Sequence, residues 1–416
     1  MRREILAGLS TFFTVSYFFL LYPKILSAGG LDLGASLTAT ILTLVLSTFF
    51  FAFYAQFPAI LAPSLGIGAY LSYSVISTDQ ATWQTALGVV FWAGLLMFLL
   101  SLFKVRQKIF LHLPHSLISA AIAGMGLFLI CVGLKDLGIL IPGSLQIGPI
   151  ATLPNGIVLF GLLLFWLLHY FRIASAFLLS ILACWGLALC FGLTHWRGIA
   201  ALPPSLSPSF LQIDFLGPFH PSLWTVFISV FLINLIDSTA SLSALARMAH
   251  AIDDKGHIKN LNRLLIPDGC GSILSSLLGT TTLAFFLESS SGIKAGGRTG
   301  MTAFVAALCT LICLFFYPII SSIPLFASTP ALIAIGGFMA LEIKEIDWRD
   351  WTNFLPALLT FLTIPATFNV YEGFAIGFIS FAALKAITGQ WKKIHPICWG
   401  LAIIFFLHFV STILFT

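Results

Sequence analysis

Two stretches decide how this chain folds: APSLGIGAYLS (Ala62–Ser72) and GTTTLAFFLESSSGIKAGG (Gly279–Gly297). Each belongs to a run apolar enough to enter a membrane, yet each carries residues that an unbroken membrane helix disfavours. Pro63 removes a backbone donor, and Gly66 and Gly68 lower helix propensity. Thr280, Thr281 and Thr282, followed by Phe285 and Phe286, favour extended backbone. Both segments are therefore expected to begin as a short strand and continue as a helix; the alternative for the first is a helix kinked by Pro63 and packed through small residues. Irregular backbone at bilayer depth persists only where it is buried or lines a cavity. Two facing half-strands would satisfy each other's backbone. The helix N-termini at the midplane would then offer free N–H groups and a positive dipole end to a ligand.

The rest of the chain fits a membrane setting. Hydrophobic residues make up 59% and charged residues 8%, against roughly 25% charged in a soluble domain, and the mean hydropathy is +1.04. A spanning helix needs about 20 mostly apolar residues, and such runs recur from Ile5 onward. Spans are expected near 5–22, 32–55, 58–78, 83–103, 115–134, 155–171 and 174–193. After a loop holding Pro203, Pro204, Pro208 and Pro218, they resume near 222–246, 260–279, 281–298, 300–319, 327–343, 353–369 and 371–388. A further apolar run, 397–415, is left over as an extra C-terminal segment. The chain thus reads as an all-α polytopic membrane protein, a single transport domain over 1–416.

Several function classes drop out. The longest polar-leaning stretches, 194–221 and 249–263, are too short for a soluble catalytic module. Cys131, Cys184, Cys190, Cys309 and Cys313 fall inside apolar runs and read as small core residues. His112, His115, His169, His195, His220, His250 and His257 lie near span ends or in loops without ligand spacing. No enzyme, metal or other cofactor is expected. The net charge of +5 implies no nucleic acid, because the Lys and Arg sit at span ends, where positive charge marks the cytoplasmic side.

An odd number of spans per half forces the second half into the membrane in the opposite sense, the signature of an inverted repeat. Residues 1–193 and 222–388 are the expected halves. Each of the two broken segments is the third span of its half, and SLISAAIAGMGLFL and TPALIAIGGFMALEI are each the fifth. Charge agrees with a cytoplasmic N-terminus. Lys104, Arg106 and Lys108 follow span four, Arg172 follows span six, and Arg247, Lys255, Lys259 and Arg263 follow span eight. Lys344 and Arg349 follow span twelve, and Lys385, Lys392 and Lys393 follow span fourteen. The other side keeps chiefly Lys24, Lys135 and Arg197.

A carboxylate in mid-span costs about 2.5–3.5 kcal/mol on insertion scales and persists where it has a partner or a task. Asp237, within VFISVFLINLIDSTASLSALA, and Glu288, beside Ser289, Ser290, Ser291 and Gly292, are the two that stand out. The alternative for each is a hydrogen bond to a neighbouring span that serves packing alone. Asn234 and Ser241 share a helical face with Asp237, as a ligand-facing set or as a packing stripe. Lys294 and Arg298 are expected to mark the cytoplasmic end of span ten, the alternative being a contact to substrate. A flat heterocycle with ring N–H and exocyclic groups suits a carboxylate, which accepts two such bonds at once. An acid kept from water is also able to exchange a proton.

These same residues carry a family resemblance. AGLSTFFTVSYFFLLYPKILSAGG, LAPSLGIGAYLSYSV, NLIDSTASL, LLGTTTLAFFLESSSGIKAGGRTGMTA, STPALIAIGGFM, IDWRDW and FGFISFAALK resemble the adenine/guanine/hypoxanthine permease (AzgA-like) branch of the nucleobase:cation symporter-2 group, from Glu4 to about His395. The resemblance implies a 14-span, seven-plus-seven fold with core spans 1–4 and 8–11 and gate spans 5–7 and 12–14. It implies proton-coupled import of purine bases across a bacterial plasma membrane, with the base between the half-strands, Glu288 contacting it and Asp237 supporting binding and coupling. Dimerisation through the gate is common in the group. Glu288, Asp237, Ser289, Gly68, Ser241 and Phe18 are thus the candidate substrate-binding residues, and Asp237 and Glu288 the candidate proton-coupling pair. The chain departs from the family pattern at Gly68 (usually Asn), Asn234 (usually Asp) and Ala240–Ser241 (usually Gly-Thr), which leaves open the purine spectrum. Another solute on the same scaffold, such as uracil, xanthine or a small anion, is the alternative, followed by a channel.

Overall fold

The computed structural model describes residues 1–140, 148–252 and 258–415; Lys255 and His257 lie outside the described residues. Span one, expected as one helix, is two: Arg2–Val15 and Phe18–Ala28. They meet at a turn over Ser16 and Tyr17, where the amides of Leu20 and Leu21 bond to the Tyr17 carbonyl at 3.0 and 3.1 Å. The second helix continues past Pro23 to Ala28, longer than the expected end at 22.

The other spans follow the hydropathy pattern. In the first half they are Leu33–Tyr54, Trp83–Leu102, His115–Asp136, Leu153–Tyr170 and Ala176–Cys190. In the second they are Trp224–Met248, Leu261–Leu278, Leu325–Ala340, Trp351–Thr367 and Val370–Ile387. Span eleven runs as Gly300–Thr310, a 3₁₀ stretch, and Tyr317–Ser322. Polar starts explain several helix beginnings: Asp32, Thr82, Thr152 and Asn369 each accept a hydrogen bond from an amide of the first turn. The leftover run is a helix, Pro396–Phe415, of 20 residues. At 1.5 Å per residue that is about 30 Å, the depth of a bilayer core.

Spans three and ten are broken as expected. Strand β1 (Leu61–Pro63) leads into a helix, Leu65–Tyr70, that widens into a π-helical stretch, Leu71–Ile76. Strand β2 (Leu283–Phe285) leads into a shorter helix, Ser289–Lys294. The strands pair antiparallel, with Leu61 opposite Phe285, Ala62 opposite Ala284 and Pro63 opposite Leu283. Beyond the strand ends, Ser64 N–H bonds to the Thr282 carbonyl at 2.9 Å and Phe286 N–H to the Ile60 carbonyl at 3.2 Å. Pro63 has no N–H to give and sits at the last strand position, where its loss matters least.

A two-stranded sheet has two outer edges, and lipid cannot satisfy them. Hydroxyls from spans two and nine do so. Thr48 Oγ1 accepts from Leu61 N–H at 3.1 Å, and Ser272 Oγ accepts from Leu283 N–H at 3.0 Å. Spans two and nine hold the same place in their halves, so the edge bonds repeat with the inverted repeat. Spans five and twelve repeat it again. A Cβ added at Gly126 would lie 2.5 Å from the Gly336 carbonyl, and one at Gly336 would lie 2.5 Å from that of Gly126. The two backbones approach that closely because both residues are glycine.

By contacts the chain forms two compact units, Met1–Phe103 with Val132–Ala334 and Lys104–Cys131 with Ile335–Thr416. The strand pair lies in the first. Leu61, Leu283 and Phe285 share a buried cluster with Phe51 of span two, Leu242 and Leu245 of span eight, and Leu264 and Leu265 of span nine. Phe51 meets Phe285 edge-on at 5.4 Å. By contrast, Leu159 and Leu163 of span six leave about three fifths of their surface open (59% and 63%), which suits an acyl-chain environment. In the second unit, the Asp347 amide donates to Ser116 Oγ at 3.4 Å.

Candidate functional site

The residue after β1 and the third residue after β2 each carry a side chain that reaches another span. Ser64, the last residue before the span-three helix, donates from Oγ to Asp237 Oδ2 of span eight at 2.7 Å. Ser241 lies one turn further along span eight, on the same helical face as Asp237. Glu288, the last residue before the span-ten helix, accepts on Oε1 from the Tyr17 hydroxyl at 2.5 Å. Tyr17 comes from the turn that splits span one. Spans one and eight are equivalent members of the repeat, so the two contacts are related: each half-helix starts against the first span of the opposite half.

Both carboxylates stay half-buried, while Phe18, Asn234, Ser238 and Ser289 around them are buried. The charges of Glu288 and Asp268 both act on Asp237. The acids therefore belong to one electrostatic neighbourhood, and each keeps an open face. Their side-chain hydrogen-bond partners, Tyr17 for Glu288 and Ser64 for Asp237, are hydroxyl groups. A carboxylate so held can accept further donors on its second oxygen.

The other sequence candidates take different places. Ser289 Oγ accepts from Ile60 N–H at 3.1 Å, so its hydroxyl ties span ten to the residue before β1. Phe18 stacks on Tyr22 (centroids 4.7 Å apart, 22° between planes) and meets Phe286 edge-on at 4.9 Å. Gly68 lies under Tyr22, and a Cβ there would come within 2.6 Å of Cε2. Asn234 is fully buried, and neither atom of its amide has a hydrogen-bond partner among the described residues.

Three contributors carry weaker sequence signals. Tyr17 and Tyr22 sit in an apolar aromatic run where packing explains them equally well. Asp268 has a clearer one. It lies mid-way along span nine beside Pro267, and the insertion cost that marks Asp237 applies to it as well. It is fully buried and accepts from Ser238 Oγ at 2.7 Å, adjacent in sequence to Asp237.

The two helix starts are unequal. The span-three helix with its π extension runs twelve residues, from Leu65 to Ile76, and so has an aligned backbone dipole at its Ser64 end. The span-ten helix has six residues, and polarity at its start comes chiefly from Glu288 itself.

The sequence pattern of the Permease family matches residues 2–376. The chain belongs to the Permease family. Adenine permease AdeQ of Escherichia coli is 32% identical to this permease over 400 residues, covering 95% of this chain and 90% of AdeQ. Guanine/hypoxanthine permease PbuO of Bacillus subtilis is 32% identical over 422 residues, covering 98% and 96%. Among solved structures, the transmembrane domain of the cyanobacterial bicarbonate transporter BicA superposes with a TM-score of 0.69 over 89% of this permease and 97% of that chain, at 17% identity. That likeness establishes a shared inverted-repeat membrane fold. The permease is a multi-pass membrane transporter, and the expected all-α fold with strand-broken third and tenth spans is the one observed.

Proposed function

We propose that this permease imports purine nucleobases (adenine, guanine and hypoxanthine) together with protons. The reading rests on Glu288, set at the start of the span-ten helix, and on Asp237, hydrogen-bonded to Ser64 at the start of the span-three helix, both inside the membrane domain and both still partly open. An anion would meet two carboxylates there and be repelled. A neutral heterocycle with N–H donors on one edge would be gripped by Glu288 through charge-assisted hydrogen bonds. The names borne by AdeQ and PbuO support the same solute class. A base that left these buried polar groups unpaired would lose about 1–3 kcal/mol for each.

Hydroxyl partners bear on coupling. An acid paired with Lys or Arg is held ionised, whereas Asp237 and Glu288, paired with Ser64 and Tyr17, can gain or lose a proton without orphaning a cation. One proton moving down about 100 mV supplies roughly 2.3 kcal/mol, enough for about 50-fold accumulation. Alternating access would follow from movement of core spans 1–4 and 8–11 against gate spans 5–7 and 12–14. The charge pattern supports a cytoplasmic N-terminus, and the resemblance supports a bacterial plasma membrane and a homodimer through the gate.

The test is uptake of labelled adenine, guanine and hypoxanthine in cells lacking their own purine permeases, with and without an uncoupler. Glu288→Gln is expected to lower uptake about 10- to 100-fold, the equivalent of one charge-assisted hydrogen bond. A variant that moved all three bases at the wild-type rate would place the site elsewhere.

A further inference from the structure

Span one lays three aromatic residues along the strand pair, and the function proposed above uses one of them only through Glu288. Tyr17 reaches Glu288, and Phe18 touches Phe286, just past β2. Tyr22 covers the other end. Its hydroxyl lies 2.6 Å from Thr281 Oγ1 and 3.4 Å from Thr280 Oγ1, in the segment leading into β2. The next residue, Thr282, gives its carbonyl to the amide of Ser64, which in turn holds Asp237. Tyr22 is fully buried and stacked on Phe18, so its ring has one position.

That position exists because residue 68 is glycine. A Cβ on Gly68 would stand 2.6 Å from Tyr22 Cε2 and 3.1 Å from the hydroxyl oxygen, closer than carbon atoms approach without a shift of the ring or the helix. Gly68 lies one turn into the span-three helix, buried and a single turn beyond Ser64. A side chain at 68 and the ring of Tyr22 therefore compete for the same space beside the start of that helix. In this chain an aromatic ring with one hydroxyl, supplied by span one, fills the space.

We propose that Tyr22, seated on Gly68, is a specificity-determining residue of this permease, fixing which purines are accepted by presenting a phenol edge and ring volume beside the Ser64 end of the strand pair. The proposal rests on the nucleobase reading of the site. A rigid ring limits how far a bicyclic base can slide toward the span-three helix. Its hydroxyl, shared with Thr281, is the polar group that an exocyclic substituent on that side of the base would meet. A site built to hydrogen-bond a substituent discriminates by orders of magnitude against a base that lacks it, whereas added apolar volume discriminates weakly. Removing the hydroxyl and enlarging residue 68 should thus act differently.

The experiment measures KM for adenine, guanine and hypoxanthine in purified protein reconstituted in liposomes, for wild type, Tyr22→Phe, Gly68→Ala and the double variant Tyr22→Leu/Gly68→Ala. Tyr22→Phe is expected to change the ratio of KM values between at least two of the purines tenfold or more, which a loss of packing alone would not do. Gly68→Ala is expected to lose at least tenfold in uptake of every base. The double variant, with the smaller Leu in place of the ring, is expected to regain most of that loss while keeping an altered ratio. Unchanged ratios in Tyr22→Phe, or a double variant no better than Gly68→Ala, would overturn the proposal. If wild type carries none of these bases, the nucleobase reading falls and this proposal with it, an outcome distinct from unchanged ratios in a working transporter.

Discussion

Tyr17 donates its phenolic proton to Glu288 at 2.5 Å, bridging 271 residues of sequence and joining the broken first span to the broken tenth. The bond occupies Oε1 and leaves Oε2 for another donor. It also fixes the carboxylate's direction, because Tyr17 is itself held by ring contact with Phe177 at 4.7 Å. A flexible Glu would lose side-chain entropy on gripping a substrate, and one already oriented loses less.

Tyr17→Phe removes the hydroxyl and keeps the ring. A charge-assisted hydrogen bond is worth about 1.5–3 kcal/mol, and part of that is regained when water or substrate replaces the phenol. KM for the transported base is therefore expected to rise about tenfold, with protein abundance in the membrane unchanged. Initial-rate uptake normalised to surface abundance measures it. A variant with wild-type KM would mean that Tyr17 does not orient the acid that binds.

Asp237→Asn tests coupling separately from binding. The amide oxygen can still accept from Ser64 Oγ, so the local geometry survives, but the group no longer titrates. The variant is expected to exchange labelled for unlabelled base across a liposome membrane while losing accumulation driven by a pH gradient. Accumulation equal to wild type would remove Asp237 from the coupling mechanism and leave Glu288 or Asp268 to carry the proton.

The parts of this site that the sequence reveals are those where a residue breaks a rule of the membrane. Pro63 and the Thr280–Thr282 run contradict an unbroken helix, so the strand pair could be anticipated. Asp237 and Glu288 contradict an apolar span, so their depth could be too. Tyr17, Tyr22, Thr48 and Ser272 break no rule: aromatic rings suit lipid and packed interiors alike, and hydroxyls in membrane helices commonly bond their own backbone four residues back. Their roles arise from which span lies beside them, which is tertiary information. The split of span one is hidden for the same reason, since Ser16 and Tyr17 are tolerated within helices.

Asp350, just ahead of the span-thirteen helix, gives a pH-dependent prediction. Its Oδ1 accepts from the Thr352 hydroxyl at 2.6 Å and the Thr352 amide at 3.0 Å, and Lys385 lies 3.0 Å from Oδ2. The Thr352 hydroxyl above all, opposed by burial and aided by Lys385, holds the carboxyl below the ordinary aspartate value. A carboxylate depressed in the folded state stabilises above its unfolded value of about 3.9, and that contribution fades as pH falls through the folded value. Asp350→Ala should cost about 0.5–1 kcal/mol at pH 7, the lower end for a helix cap because the carboxylate is half-buried and partly screened. Thermal unfolding in detergent should show a gap between wild type and variant at pH 7 that narrows below about pH 4. A gap that persisted at low pH would trace to packing and not to the carboxylate.

The edge hydroxyls decide whether the strand pair is held or merely placed. Thr48 Oγ1 accepts from Leu61 N–H and, at 3.2 Å, donates to the Leu61 carbonyl, while Ser272 Oγ serves Leu283 N–H. Each strand has three residues, so these bonds are a large share of what fixes the backbone leading to Ser64 and Glu288. Thr48→Val keeps the shape and leaves the Leu61 amide and carbonyl without that partner; Ser272→Ala does the same to the Leu283 amide. An unsatisfied buried donor costs about 1–3 kcal/mol, and the backbone can avoid it only by shifting the strand. Both variants are therefore expected to raise KM about five- to tenfold, with a smaller fall in maximal rate. Thr48→Ser and Ser272→Thr, which retain a hydroxyl, should recover wild-type KM. Because spans two and nine act from opposite edges of one sheet, the double variant Thr48→Val/Ser272→Ala should lose more than the product of the single losses, each remaining bond having limited how far the strands move. Simple multiplication of the two effects would show instead that each strand is anchored independently, and that the pair does not respond as one element.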